Sequence, residues 1–420
     1  MKIRLERDVL AEAVQWAARS LPLRPSVPIL AGLLVRADAD GVTFSSFDYE
    51  TSAQIHVAAA VADEGQALVS GRLLADISRS LPPKAVDITA DDTKMELICG
   101  SARFTLQTLP VADYPSLPSM PEATGTVPSA VFAQAVAQVV VAAGRDELLP
   151  VFTGVRVEID DDTISLLATD RYRMALKELA WNPSRSQISA TALVPARVLS
   201  ETSRSMTAGE EVTLSLADGG TGDGIIGFEG HGPAGERQTT TRLLDGEFPK
   251  VRHIMDTPAL MNVRTSTADA IAAAKRVALV AERNTSLRML IGDGFVTLEA
   301  ATGDQAQASE AIEATIDQPG GGEPAVTAAG FNPTYLLDGL GAFDKPYVNF
   351  GFTAPSKPCQ LTGLATLDGN PLTDYRHVIM LMRLPSCTGD GGDGGRGGCR
   401  QEQGRVVGDR FGSAPAARSG

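Results

Sequence analysis

The feature that most constrains this chain is an internal repeat: one order of elements can be read three times between residues 1 and 385. Val69 of VSGR matches Val194 of VPAR, 125 residues on, and Tyr114-Pro115 matches Phe248-Pro249, 134 on. Each third opens with an apolar face at helical spacing, which predicts helices over 8–20, 129–143 and 267–280, the first capped by Asp8 and the second by Ser129. A tight Asp/Gly turn between alternating strands follows, as in LLVRADADGVTFSSF, GVRVEIDDDTISLLA and MLIGDGFVTLEAA. A short strand then leads into a second helix (ALVSGRLLADISRSLP, TALVPARVLSETSRSM, AVTAAGFNPTYLLDGLGAF), and more alternating strands close the unit. Two helices and about eight strands per unit, with the helices on one side of antiparallel sheets, make an α+β fold. Proline and polar clusters place boundaries near 121–128 and 256–259, giving domains 1–121, 128–255 and 259–385.

From residue 386 the sequence is Gly-rich and lacks apolar periodicity, so 386–420 is expected to be a disordered tail. The rest is material for packed cores, 43% hydrophobic over the whole chain, built from Val, Leu, Ile and Ala because aromatics are only 5%. A net charge of −14 excludes a uniformly basic nucleic-acid coat but not a local basic surface. No apolar run approaches the roughly 18 residues of a membrane helix, and the start, MKIRLERDVLAEAV, does not read as a secretory signal. Cys99, Cys359, Cys387 and Cys399 are scattered, which favours neither a zinc site nor a disulfide framework and suits a reduced cytoplasmic setting.

Catalytic patterns are missing. His56, His231, His253 and His377 have no metal-ligand spacing, and there is no GxSxG elbow or Walker A loop. The glycine clusters 219–224 and 320–322 are not followed by a helix that would aim a dipole at phosphate. Asp91-Asp92 and Asp160–Asp162 read as solvated hairpin turns. No catalytic residue, metal or cofactor is expected.

Positive charge has a pattern instead. Arg72 and Arg79 bracket the second helix of the first unit, and Arg197 and Arg204 bracket its equivalent in the second. Seven residues are about two helical turns, so each pair shares a face. Arg24, Arg145, Lys275, Arg276 and Arg283, with Arg19, lie at or near the ends of the first helices. Basic residues recurring on helices of an acidic chain are what a duplex-phosphate surface requires, and the lack of interleaved aromatics argues against stacking on single strands.

Several segments carry a family resemblance: PSVPIL after Arg24, VSGR and LPP in the first unit, ADYPSLP, ATDRYRMA at 168–175, LLDGEFPKVR at 243–252, AERNTSLRM at 281–289, GFNPTYLLDGL at 330–340 and YRHVIMLMRLP at 375–385. On these the chain resembles the bacterial DNA polymerase III beta subunits, the sliding clamps, in an actinobacterial style. The resemblance implies three clamp domains per chain and a head-to-tail homodimer closed into a ring around double-stranded DNA. Basic helices would line the hole without reading sequence, and the topological link would keep the ring on DNA. It also implies a non-catalytic, cytoplasmic processivity subunit, with no membrane role.

The resemblance further implies a cleft where replicative polymerase and clamp-loader subunits dock through short peptides. Carried over by position, the cleft comprises Phe152, Thr169, Arg171, Tyr172, Arg173, Met174, Pro249, His253, Ile254 and Tyr335, together with Val378, Ile379, Met380, Leu381, Met382, Arg383 and Leu384. Met380, Met382 and Leu384 are expected on one wall, with Phe152 and Met174 on another. The chain departs from the family pattern at Leu381, which stands where proline is usual, and at Phe152, Met174 and His253. These departures raise a second reading, a variant second-copy clamp that tolerates inhibitors of the cleft. A reading from another class, a β-rich repeat protein binding sugars or proteins, would not explain the paired arginines.

Overall fold

A computed structural model describes residues 1–216, 224–282, 285–302, 305–318, 326–354 and 356–384. The tail, the glycine cluster 320–322 and all of 219–224 except Gly224 lie outside these residues.

Seven helices are described: α1 (Arg7–Ala18), α2 (Gly71–Ser80), α3 (Ser129–Val140), α4 (Ala196–Ser205), α5 (Arg252–Met255), α6 (Thr267–Val277) and α7 (Pro333–Gly341). All but the short α5 are the expected two per repeat. Among the described residues each repeat carries nine strands, one more than the patterning suggested. The additional strand comes before the opening helix: Lys2–Leu5, Ala123–Pro128 and Met261–Ser266. Each pairs antiparallel with a strand of its own repeat's closing group, Val86–Ala90, Glu211–Leu216 and Tyr347–Phe352.

The helix starts differ from expectation. Glu6 holds the N-cap position of α1 with no side-chain cap bond, and Asp8 sits in the first turn, where it complements the helix dipole. Ser129 is itself the first residue of α3, and its hydroxyl donates to the Gly209 carbonyl. At α6 the residue before the predicted start does the capping: Ser266 Oγ accepts from Asp269 N at 3.3 Å.

The chain divides into two compact units that do not follow the repeats. Unit 1 is Met1–Val136, Arg156–Ile164 and Ala180–Gly246; unit 2 is Ala137–Val155, Ser165–Leu179 and Glu247 onward. Unit 1 contains a 14-stranded sheet, in which Thr51–Val57 of the first repeat pairs antiparallel with Glu236–Arg242 of the second. In the first repeat Leu10, Val14 and Ala17 of α1 and Leu74 and Ile77 of α2 are buried in one cluster with Leu33, Val35, Phe44, Ile55 and Leu97 from the strands. The closing turns that looked alike in sequence both bury their aromatic residue, Tyr114 and Phe248. Tyr114 is also held by a bond from Phe47 N to its hydroxyl at 2.9 Å.

In unit 2 the strand Arg173–Ala180 of the second repeat pairs antiparallel with Tyr375–Ile379, the last strand described, with Lys177 opposite Tyr375. The sheet continues through Cys359–Leu364, Tyr347–Phe352 and Met261–Ser266. A four-stranded sheet in the same unit ends in Ala328–Phe331, directly before α7. Cys99 and Cys359 are buried free thiols.

Candidate functional site

The sequence TDRYR makes a tight turn at the start of the strand Arg173–Ala180. Asp170 organises it: one carboxylate oxygen accepts from the backbone N–H groups of Tyr172 and Arg173, both at 3.0 Å, and the other accepts from Arg173 Nε at 3.0 Å. Thr169 Oγ1 donates to the Arg173 carbonyl at 2.8 Å and accepts from Arg171 N at 3.1 Å. Arg171, at the tip, has φ +80°, the left-handed region that L residues avoid.

This turn gathers an aromatic and cationic cluster within unit 2. The Arg171 guanidinium lies 5.7 Å from the Phe152 ring centre and 5.8 Å from that of Tyr172. Tyr172 stacks on Tyr335 of α7, with centroids 6.3 Å apart. Arg173, only 6% exposed, covers the Tyr335 ring at 4.5 Å and reaches Asp338 of α7 at 2.6 Å. A charge this buried needs both carboxylates to offset its desolvation, and Asp170 and Asp338 supply them. Burial first, and then the charge of Asp170, raises the Tyr335 phenol above its ordinary range.

The terminal segment lies across the same cluster. Met380 N donates to the Tyr172 carbonyl and Met382 N to the Gly330 carbonyl, both at 2.8 Å. The first bond ties the segment to the turn, and the second ties it to the strand before α7. Leu381, between them, makes no such bond among the described residues. Met380, Leu381, Met382 and Leu384 are half-buried, and Arg383 is exposed. Met174, Val378, Ile379 and Thr169 are at most 1% exposed. They form the floor beneath the site, so Met174 is not a wall of open cleft. Pro249 and Ile254 are half-buried, and His253 is exposed on α5. That helix is fixed by Arg252 to Glu178, by Arg376 Nη1 to Asp256 Oδ1 at 3.0 Å, and by Gln360 Nε2 to the Met255 carbonyl at 2.9 Å. Among the described residues no hydrogen bond or ion pair joins His253 to the Phe152–Tyr335 cluster.

Beneath the site, Tyr375 donates its hydroxyl to the Gln138 carbonyl at 3.0 Å and lies 3.1 Å from His377 Nδ1. With the phenol proton committed, Nδ1 carries the histidine proton and Nε2 has no partner among the described residues. Sequence reasoning missed this network and the roles of Asp170, Asp338 and Gly330. Only Asp170 left a trace, as the Asp that opens a turn.

The basic residues divide between the units. In unit 1, α2 and α4 are both ten residues long, and each carries arginine at its second and ninth positions. Arg72, Arg79, Arg197 and Arg204 are all exposed, as is Arg24. The equivalent helix of the third repeat, α7, has no arginine. Arg79 pairs with Asp76 at 3.8 Å and Arg197 with Glu201 at 3.4 Å, whereas among the described residues Arg72 donates only to the Pro22 carbonyl, at 3.0 Å. In unit 2, Arg145 and Lys275 are exposed, Arg276 is paired with Glu310, and Arg283 lies outside the described residues. No group of residues suited to a metal ion is present among the described residues, and none of their helices is long and apolar enough to cross a membrane.

Residues 1–118, 126–250 and 260–383 match, in order, the N-terminal, central and C-terminal domains of the DNA polymerase III beta subunit. The chain belongs to that family. It is 52% identical to a beta sliding clamp of Streptomyces coelicolor over 384 residues, 91% of this chain and 100% of that one. Identity to the beta sliding clamp of Micrococcus luteus is 50% over 317 residues, 76% of this chain and 100% of the relative. A beta sliding clamp homolog, GriR, of Streptomyces muensis is 39% identical over 91% of this chain and 100% of its own length. In three dimensions, the sliding clamp of Pseudomonas aeruginosa solved with griselimycin matches with a TM-score of 0.80 at 24% identity, covering 91% of this chain and 100% of that one. The expected family, its actinobacterial kinship and the three-domain α+β clamp fold are therefore borne out.

Proposed function

We propose that this chain is the sliding clamp of a replicative DNA polymerase III: a non-catalytic subunit that closes around duplex DNA as a head-to-tail homodimer and tethers the polymerase. The observation that carries the reading is the succession of three clamp domains along residues 1–383. We take the domains as 1–121, 128–255 and 259–385, with 386–420 as an appended tail, and place the protein in the cytoplasm. Arg24, Arg72, Arg79, Arg145, Arg197, Arg204, Lys275, Arg276 and Arg283 face the phosphates, where screened attraction permits sliding without sequence readout. The cleft is the cluster around the TDRYR turn, α7 and the terminal segment. Half-buried Met380 and Met382, with polarizable and adaptable side chains, suit a partner's Leu and Phe anchors.

The deciding experiment loads the full chain onto closed circular DNA with a clamp loader, then cuts the circle. Retention on the circle with loss on linearisation is expected; equal loss from both would remove the topological link.

The higher identity to the Streptomyces coelicolor clamp than to GriR supports the plain clamp over the variant second copy. Leu381 remains the feature that a variant-copy reading would have to rest on.

A further inference from the structure

The backbone frame around the buried Arg173 is built a second time, inside unit 1. In the first repeat Asp48 stands where Asp170 does in the second: one of its oxygens accepts from Glu50 N at 2.9 Å and from Thr51 N at 2.7 Å. Tyr49, at the tip of that turn, has φ +75°. The neighbouring segments are tied alike. Arg242 N donates to the Glu50 carbonyl at 2.9 Å, as Met380 N does to that of Tyr172, and Leu244 N donates to the Leu193 carbonyl at 2.8 Å, as Met382 N does to that of Gly330. Glu201 is the sixth residue of α4, as Asp338 is of α7. Within this frame Thr51 takes the place of Arg173 and Val198 that of Tyr335. Thr239, opposite Ala53, takes the place of His377, opposite Ala175.

Both carboxylates that hold the Arg173 guanidinium thus recur, without the guanidinium. The smaller side chains leave an open cavity of about 510 Å³, solvent at its mouth included, lined by Asp48, Thr51, Val198, Glu201, Thr239 and Trp16 of α1. The Asp48 oxygen that corresponds to the one bonding Arg173 Nε has no partner among the described residues. Thr202 and Thr239 also face the cavity, are 3% and 4% exposed, and make no side-chain hydrogen bond among the described residues. Buried hydroxyls of this kind favour an occupant that bonds them. Two cations of the chain itself border the cavity, Arg19 and Arg197, and both are exposed. Arg197 reaches Glu201 through Nε at 3.4 Å, and among the described residues neither arginine pairs with Asp48.

We propose that this cavity is a binding site for a guanidinium group supplied in trans, by a small guanidinium compound or by an arginine side chain. Its fork of N–H donors meets the carboxylates of Asp48 and Glu201, and the hydroxyls of Thr202 and Thr239 accept the donors that remain. An ammonium group lacks the planar fork and engages fewer of these acceptors. The inference rests on unit 1 alone and is independent of the docking cleft.

The test follows the two tryptophan indole N–H signals of the full chain, labelled with nitrogen-15 and assigned with Trp181→Phe. Trp16 lines the cavity, whereas Trp181 is not among its lining residues and bonds the Asp161 carbonyl at 2.9 Å. Titration with methylguanidinium chloride should shift the Trp16 signal saturably, with a midpoint in the millimolar range expected of so small a ligand, and leave Trp181 in place. Methylammonium chloride at the same ionic strength should bind several-fold more weakly. Asp48→Asn keeps an oxygen for the two backbone amides of the turn, and should weaken methylguanidinium roughly tenfold, as one charge-assisted hydrogen bond is lost. Thr51→Arg copies Arg173 and should fill the site and abolish the shift; thermal melting checks the fold of both variants. Acetyl-arginine methylamide separates the sources: binding as tight as methylguanidinium assigns an arginine side chain, and much weaker binding assigns a free small compound. No saturable shift of Trp16, equal affinity for the two cations, or a shift that persists in Thr51→Arg overturns the inference.

Discussion

His377 lies in the middle of the last strand with no exposed surface, facing Tyr375 on one side and the backbone of Gly339 on the other. Burial, and then the charge of Arg173, lowers its ring from the ordinary 6.5 to about 3. The folded chain thus keeps this histidine neutral where the unfolded chain takes up a proton. Its contribution to stability is complete above pH 6.5 and is lost as the pH falls from 6.5 towards 3, by up to about 1.4 kcal/mol per pH unit. Urea midpoints measured between pH 7.5 and 4.5 should fall more steeply for the wild type than for His377→Gln; parallel profiles would assign the acid loss to other groups. At Leu381 the prediction is the absence of an effect. Its N–H has no partner among the described residues, while Met380 and Met382 on either side are both bonded. Leu381→Pro should therefore change stability by less than about 0.5 kcal/mol in chemical denaturation. A larger loss would mean that the Leu side chain, not the backbone, secures the segment.

At the scale of elements, the site depends on one strand lying close enough to the terminal segment to bond it. Gly330 allows this: a Cβ there would come within 2.8 Å of the Met382 carbonyl oxygen and 2.9 Å of a Leu384 methyl carbon. Gly330→Ala should push the segment off the strand, weaken a Leu/Phe-anchored peptide at least tenfold in calorimetry, and raise hydrogen exchange at the Met382 amide. Unchanged peptide affinity would detach the segment from the cleft. The elements themselves were largely legible in sequence, because helical spacing in VLAEAVQWAA and alternation around Asp/Gly turns follow from which face is buried. What escaped were features that depend on partners distant in sequence. Lys2–Leu5 is only four residues long, and the strand it needs begins at Val86. Ser129 has a capping side chain, but the Gly209 carbonyl eighty residues away claims its hydroxyl. For the site, the motif residues could be placed by resemblance. That Met174, Val378 and Ile379 would be floor, and that Arg173 would be paired with Asp338, required the three-dimensional packing.

For the molecule as a whole, a chain of net charge −14 is proposed to hold a polyanion, so the few cations free to act matter more than their number. Arg79, Arg197 and Arg276 share their charge with Asp76, Glu201 and Glu310, whereas Arg24, Arg72, Arg145, Arg204 and Lys275 have no ion pair among the described residues. Arg72→Glu and Arg204→Glu should therefore weaken DNA retention more than Arg79→Glu and Arg197→Glu. Each should lower the salt slope of DNA binding by about one for every phosphate it no longer neutralises, with the fold unchanged by circular dichroism. Equal effects at all four positions would mean that the local acids do not compete with phosphate.

The pairing of Lys177 with Tyr375 has a consequence for how the chain is made. The strand that begins at Arg173 leaves the ribosome roughly 200 residues before its partner. At about 5–20 residues per second this is a delay of some 10–40 s. During that time the hydrogen-bonding edge of Met174, Ala175 and Leu176, buried in the finished protein, has no final neighbour. An edge of this kind recruits strands from other chains, so synthesis that stalls before codon 375 should yield products that associate through unit 2, and chaperone demand should peak in the last third of translation.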